Sequence, residues 1–467
     1  MLEDLWRDAA LPAGALERIT LRGGEPAVPS SFALGSALQA ALGAAALAAT
    51  VVGALRGGPA QRVDLDLLDA VRESAGRFRL DGRAPDLWDK ISGLYRCADD
   101  DAGAASWVRI HANFAHHRDG VLELLGLPVG PATERSAVLA ALVPWQAEAF
   151  ESAAAARGWV VAAVRSPQQW QQHPQAAAVA AAPLLQVDRD GDAVPLPWPP
   201  AGHDARPLAG LRVLDLTRIL AGPVAGRTLA AWGAEVMLVN APHLPNIEAI
   251  ADTSRGKLSV LLDLRTRVDR DTLRALVRGC DVFLQGYRPG ALQALGFGPD
   301  ELQRLRPGIV SLSLSAYGTS GPWAARRGFD SLVQSATGIN VDEAAAFGSG
   351  TPRALPLPAL DYGAGYLLSF GALVALLRQR QLGGSWRVQV SLAGVGHWLQ
   401  GLGRVAGGPA AAVPSFDGAF EETDTGFGRL RAVRHAVRLS HANCGWRRPA
   451  MPPGSHAPVW PDPGAAA

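Results

Sequence analysis

Cysteine is nearly absent: Cys97, Cys280 and Cys444 are the three in 467 residues. They are far apart, odd in number and form no CxxC, which argues against a disulfide framework and a zinc ribbon. An excess of one charge is lacking too. Forty-four Lys and Arg against 43 Asp and Glu leave a formal net charge of +1. No general field therefore draws the chain to nucleic acid or to an acidic membrane. An anionic ligand would have to be met by a local set of cations. The first residues, "MLEDLWRDAALPAG", lack the basic-then-apolar order of a signal peptide, and a reducing cytoplasm is the expected location.

What is present is a globular composition, 48% apolar and 19% charged, in a chain long enough for more than one domain. The segment 32–55, "FALGSALQAALGAAALAATVVGAL", has the length and apolarity of a membrane span. Its Ala and Gly content, Ser36 and Gln39 point instead to a buried helix. Dense Pro, Gly and Asp in "RDGDAVPLPWPPAGHDARPLAGL" place a linker over 196–210, between a first part (1–195) and a second (211–467).

The second part alternates strand and helix signals. "RVLDL" (212–216), "EVMLV" (235–239), "KLSVLLDL" (257–264), "DVFLQGY" (281–287) and "GIVSLSL" (308–314) read as strands. A helix runs through "AGRTLAAWG" (225–233), and further helical patterns such as "DRDTLRALVRGC" and "PDELQRLRP" separate the later strands. This order predicts βαβ units: an α/β fold with a doubly wound, mainly parallel, Rossmann-like sheet and a smaller α+β domain. The dinucleotide fingerprint GxGxxG is missing after the first strand, where "LDLTRILAGPVAG" stands, so a nicotinamide-dependent reaction loses its main support.

Residues 46–82 parallel 372–407. Each has an apolar helix, a Gly-rich turn and an Arg-Val strand. Arg62-Val63 matches Arg387-Val388, and Gly76, Arg79 and Gly82 match Gly401, Arg404 and Gly407, with one gap. Upstream of the second copy, "LPALDYGAG" sets Asp361 among apolar residues, opposite Gly35 or Ser36 in the first. A carboxylate there is either a helix N-cap or a reactive group. The cluster His111, His116 and His117 has no carboxylate or Cys at a familiar ligand spacing, so no metal site is expected.

Five ordered blocks carry a resemblance. They are "LAGLRVLDLTRILAGPVAGRTLAAWGAEVMLVNAP", "SRGKLSVLLDL", "DVFLQGYRPGALQALGFG", "SLSAYGTSGPWAARRGFDSLVQSATG" and "LPALDYGAG". Together they resemble the class III CoA-transferases, the formyl-CoA and carnitine-type enzymes. The first part looks like that family's later region, which implies a rearranged tandem with a truncated N-terminal copy. Pairing would then occur as a homodimer or as a pseudo-dimer within one chain.

The resemblance implies that Asp361 accepts the acyl group, with coenzyme A as co-substrate and no permanently bound cofactor. The partners would be acyl-CoA and small carboxylic acids, with neither nucleic acid nor membrane. CoA phosphates need cations. Arg288 and Lys257 are the better candidates by resemblance, while Arg255 and Arg218 read equally as solvated charges. Tyr317 is expected to line the acyl pocket, and Gly363 and Gly365 to let backbone N–H groups approach a developing oxyanion. Three departures stand out: Asn240 where the family often has Glu, "GSG" (348–350) in place of a longer glycine loop, and Phe329 where the related racemases carry His. Two rival functions follow, an acyl-CoA racemase or epimerase and a non-catalytic CoA-binding subunit. The missing His weighs against the first.

Overall fold

The computed structural model describes residues 1–100, 103–199 and 206–462. Seven strands build the central sheet: β1 (Gln186–Gly191), β2 (Arg212–Leu216), β3 (Glu235–Asn240), β4 (Lys257–Leu261), β5 (Val282–Gln285), β6 (Val310–Ser315) and β7 (Ser385–Ser391). Across the sheet they run β4-β3-β2-β5-β6-β7-β1. Only the β7–β1 pair is antiparallel. The order turns at β2, with β3 and β4 on one side and the later strands on the other. β2 and β3 are near-continuous buried runs, as expected where helices cover both faces. β6 and β7 alternate instead: Val310, Leu312, Val388 and Val390 are buried, whereas Ser311, Ser313, Arg387 and Gln389 are half-buried on the other face.

Five helices position the site: α1 (Leu34–Leu55), α2 (Ala221–Ala231), α3 (Asp330–Ala336), α4 (Ala359–Leu382) and α5 (Leu392–Gly401). α4 is central and packs against α1, α2, β6 and β7. By length and composition α1 and α4 could each cross a bilayer, yet 83% and 94% of their apolar windows lie inside this fold.

The first part of the chain, up to the expected linker, shares one core with the second. That core runs from Leu2 to Val437 and draws on both parts. β1 belongs to the first part and forms an edge of the sheet. Its sequence gives no strand signal, because "QVDRDG" is polar, as an edge strand can be. A buried ionic network makes the same join. Arg227 of α2 pairs with Asp252 and lies 3.6 Å from Glu73, which sits 3.1 Å from His435 Nδ1. Burial alone would raise the Glu73 carboxyl, but His435, Arg227 and the Ala436 N–H outweigh it and hold it at about 2. The linker expected over 196–210 falls in part on 200–205, outside the described residues.

Residues 93–163 carry a smaller unit. Strands Gly93–Arg96, Trp107–Ile110 and Val161–Ala163 form an antiparallel sheet with its own apolar core. α3 packs on the last two of these strands, which brings the small unit to the start of α4. Elsewhere α1, strand Val63–Asp66 and helix Leu67–Ser74 succeed one another as α4, β7 and α5 do. Val63–Asp66 pairs in parallel with Ile19–Arg22, and β7 pairs in parallel with β6.

Candidate active site

Asp361 is the third residue of α4, whose N-cap is Pro358 and has no side-chain cap of its own. The first turn of a helix leaves backbone N–H groups without acceptors. Asp330, at the start of α3, supplies one. The Leu360 and Asp361 N–H groups donate to its Oδ2 at 2.9 and 3.1 Å, and Gln334 Nε2 donates to its Oδ1. A different aspartate therefore caps α4. Among the described residues the half-buried Asp361 carboxyl makes no hydrogen bond and no ion pair.

Two neighbouring carboxyls compete for one charge. Burial raises Asp330 to about 6, a rise restrained by the donors from Asp361, Gln334 and Leu360 and by the charge of Arg109. Asp361 lacks such donors. Burial first, and then the charge on Asp330, push it well above the ordinary carboxyl range. Asp330 is thus the better holder of the charge, and Asp361 tends to keep a proton. Asp330→Asn removes the repelling charge, so the Asp361 ionisation should fall. In a pH series of kcat/KM the acid limb should then move to lower pH, with a stability loss of about 1 kcal/mol from the weakened cap. An unmoved limb would show that the two groups titrate independently.

Residues 361 and 365 share one face of α4. A Cβ on Gly365 would stand 2.7 Å from the Ala221 carbonyl oxygen, so that face meets the start of α2. Just before it, Ile219 has φ +77°, a conformation that strains a β-branched residue and that clusters at functional sites. Nothing in "TRILAGP" marks that strain in advance.

Arg218 and Arg288 stand beyond β2 and β5, at the C-terminal strand ends flanking the turn in strand order, where open α/β sheets bind ligands. Arg218 donates through Nη2 to the Pro245 carbonyl, and its Nε is buried without a partner among the described residues. Arg288 is exposed and lines a cavity of about 190 Å³ with Gln285, Tyr287, Ser313, Ser315 and Arg387. Arg327 joins them. Burial and then Arg288 lower its pKa, while burial, Arg327 and Arg218 lower that of His116. None of these four has a carboxylate partner among the described residues, so the cluster can take an anion. Asn240, at the end of β3, accepts from Asn246 Nδ2 at 2.7 Å, and its own Nδ2 is buried and unpartnered among the described residues. It shares a crevice with Thr217, Arg218, Ile250 and Thr253.

Other sequence expectations are corrected. Lys257 is fully enclosed, its Nζ 2.8 Å from Asp215 Oδ2 and 2.8 Å from the Pro223 carbonyl. It offers no face to a phosphate. Arg255 is buried too, paired with Asp252 and with Glu421 at 3.0 Å, and stacked 3.8 Å over Trp446. Tyr317 is 2% exposed, packs against Trp323 and lies toward Arg326, Glu151 and Arg165, with burial pushing its hydroxyl up to about 12. Gly363 and Gly365 lie within α4, where their N–H groups belong to the helix ladder. Their role is close packing, since a Cβ at Gly363 would stand 3.0 Å from Val395. The three histidines pack against aromatic rings. His111 stacks on Phe329 at 4.0 Å, and His116 and His117 flank Phe114.

Residues 208–415 match the model of CoA-transferase family III. The chain is 37% identical over 227 residues to an acetyl-coenzyme A transferase of Hypoxylon pulicicidum, covering 46% of this chain and 38% of that protein. Against a probable fatty acyl-CoA transferase of Mycobacterium tuberculosis the identity is 35% over 215 residues, covering 43% and 54%. A succinyl-CoA–D-citramalate CoA-transferase of Chloroflexus aurantiacus is 34% identical over 196 residues, covering 39% and 48%. The chain thus spans about half the length of these relatives, or less. A crystal structure from M. tuberculosis aligns with a TM-score of 0.40 at 34% identity, covering 43% of this chain and 58% of the other.

Proposed function

We propose that this protein is a class III CoA-transferase, moving CoA from an acyl-CoA thioester to a carboxylic acid through Asp361. The observation that carries this reading is the division of roles between two aspartates. Asp330 does the capping, and Asp361 stands beside it unpaired and raised. Keeping a carboxyl desolvated without a structural partner is costly, and such groups concentrate at reactive sites. The family match over 208–415 and the names of the relatives support CoA as the group moved.

In this scheme an Asp361 oxygen attacks the thioester carbonyl, the C–S bond breaks, and the CoA thiolate leaves an acyl–aspartyl anhydride. The thiolate then attacks the aspartyl carbonyl and expels the first acid as its carboxylate. The acceptor carboxylate attacks the aspartyl carbonyl of the resulting thioester and expels CoA thiolate, which gives a second anhydride. The thiolate then attacks the acceptor's acyl carbonyl, forming the new thioester and releasing the Asp361 carboxylate. A raised pKa suits the step, because a more basic carboxylate is the better nucleophile once ionised. Arg218, Arg288 and Arg327 would hold the phosphates. The parallel order β4-β3-β2-β5-β6-β7 supports the reading of a Rossmann-like sheet, in which the nucleotide would lie at the turn beyond β2. CoA enters and leaves as a co-substrate.

The matching succession of helix, strand and helix supports a tandem, with α1 as the partial counterpart of α4 and the two packed as a pseudo-dimer in one chain. A cytoplasmic setting remains part of the proposal. For a racemase the residues are wrong. Phe329 carries no proton, and burial drives the stacked His111 down to about 3, a weak base at neutral pH. Incubation with a panel of acyl-CoA donors, followed by hydroxylamine and peptide mass analysis, tests the reading. A hydroxamate or CoA adduct on Asp361 is expected. CoA binding without any adduct would make this a binding subunit.

A further inference from the structure

We infer that Arg109 recognises a second, remote anionic group on the acyl substrate, so that the site favours half-thioesters of dicarboxylic acids. This rests on the transferase reading of Asp361 and concerns which acids that residue receives.

Arg109 lies on strand Trp107–Ile110. Val108 and Ile110 enter the core of the small unit, and the pleat sends Arg109 to the opposite side. His111, next on that side, stacks on Phe329 at 4.0 Å, and Phe329 immediately precedes Asp330. The guanidinium is thereby held near Asp330. The charge of Asp330 raises the Arg109 pKa, and that of Arg109 lowers the Asp330 pKa. Its Cζ stands 5.0 Å over the Trp88 ring.

What Arg109 lacks is a partner. It is half-buried, makes no hydrogen bond or ion pair among the described residues, and keeps its Nε buried and unpartnered. Leaving guanidinium donors unused in such a place costs stability. Asp330 does not satisfy them, because its oxygens are taken by Leu360, Asp361 and Gln334. Burial and the charge of Arg135 both press on Arg109, which an added anion would relieve. A carboxylate fits the planar fork in bidentate fashion. Trp88, His111 and Phe329 supply aromatic walls, suited to the short apolar chain between two acid ends. The phosphates of CoA have their own cations at Arg218, Arg288 and Arg327, which leaves Arg109 for the far end of the acyl group.

Succinyl-CoA and butyryl-CoA have acyl chains of equal length and differ in the terminal carboxylate, so their kcat/KM ratio reads this contact. The full chain should prefer succinyl-CoA by about 100-fold or more. Arg109→Met should bring the ratio close to one, and Arg109→Lys should keep part of it. A ratio unchanged in Arg109→Met overturns the inference even when both thioesters exchange. If neither exchanges, the transferase reading fails and binding decides. Succinate, but not butyrate, should then change the Trp88 fluorescence, assigned with Trp88→Phe, and Arg109→Met should abolish that change. Equal responses to the two acids overturn the inference, with circular dichroism verifying that each variant is folded.

Discussion

Asp361→Asn is expected to abolish CoA exchange and, at neutral pH, to raise the melting temperature. The first effect follows from removing the atom that forms the anhydride. Loss of a covalent nucleophile lowers rates by about 10⁴-fold or more. The second follows from linkage. A carboxyl whose folded pKa lies above its unfolded value binds more protons folded than unfolded, so stability falls as pH rises above the unfolded pKa. Burial and Asp330 raise Asp361 above its ordinary value of 3.8, so its ionisation works against folding at pH 7. Asn keeps the shape and removes that cost. Because the residue is partly open to water, the gain is modest, roughly 2–4 °C. Melts at pH 7 and near pH 2.5 should differ: the advantage of Asn vanishes at the lower pH, where Asp361 is protonated in both states. A lower melting temperature at pH 7 would reveal a structural role, and retained exchange would remove Asp361 from the chemistry.

The strands were legible because β2 to β5 are short apolar runs set off by helical spacing, a pattern that burial on both faces imposes. Asp361 stood out because a charge among apolar residues needs a reason, but its own residues left both a cap and a reactive group open. Asp330 was not. An aspartate opening "DSLVQSA" looks like the start of its own helix, whereas it caps another helix some thirty residues on. That acceptor role exists only once α3 and α4 are packed. The same limit explains "SRGK": Lys257 looks like a ligand contact by resemblance, and Arg255 looks equally like a solvated charge, until the fold encloses them. Gly363 and Gly365 have two readings in sequence, backbone approach to a ligand or helix-to-helix contact, and only the positions of Val395 and Ala221 decide between them. For Arg109 the pleat gives the direction, but Asp330, whose charge it feels, belongs to a distant part of the chain.

Lys257→Met separates the enclosed ion pair from the ligand contact that the family resemblance implied. Both side chains of the Lys257–Asp215 pair are 0% exposed. Asp215 Oδ1 is engaged by the Thr217 N–H at 3.0 Å and its hydroxyl at 2.5 Å, so Oδ2 depends on the ammonium. α2 closes over the pair: a Cβ on Gly226 would lie 2.9 Å from Nζ, which leaves little space for water to replace the lost charge. Removing one member of such a pair strands the other, at a cost of about 3–5 kcal/mol. Urea unfolding of Lys257→Met should show a loss of that size. Asp215→Asn in the same chain should restore more than half of it, since Asn still accepts from Thr217 and carries no charge to be stranded. A CoA contact would behave differently. Lys257→Met would then keep its unfolding midpoint and raise KM for the thioester, and the second substitution would rescue nothing.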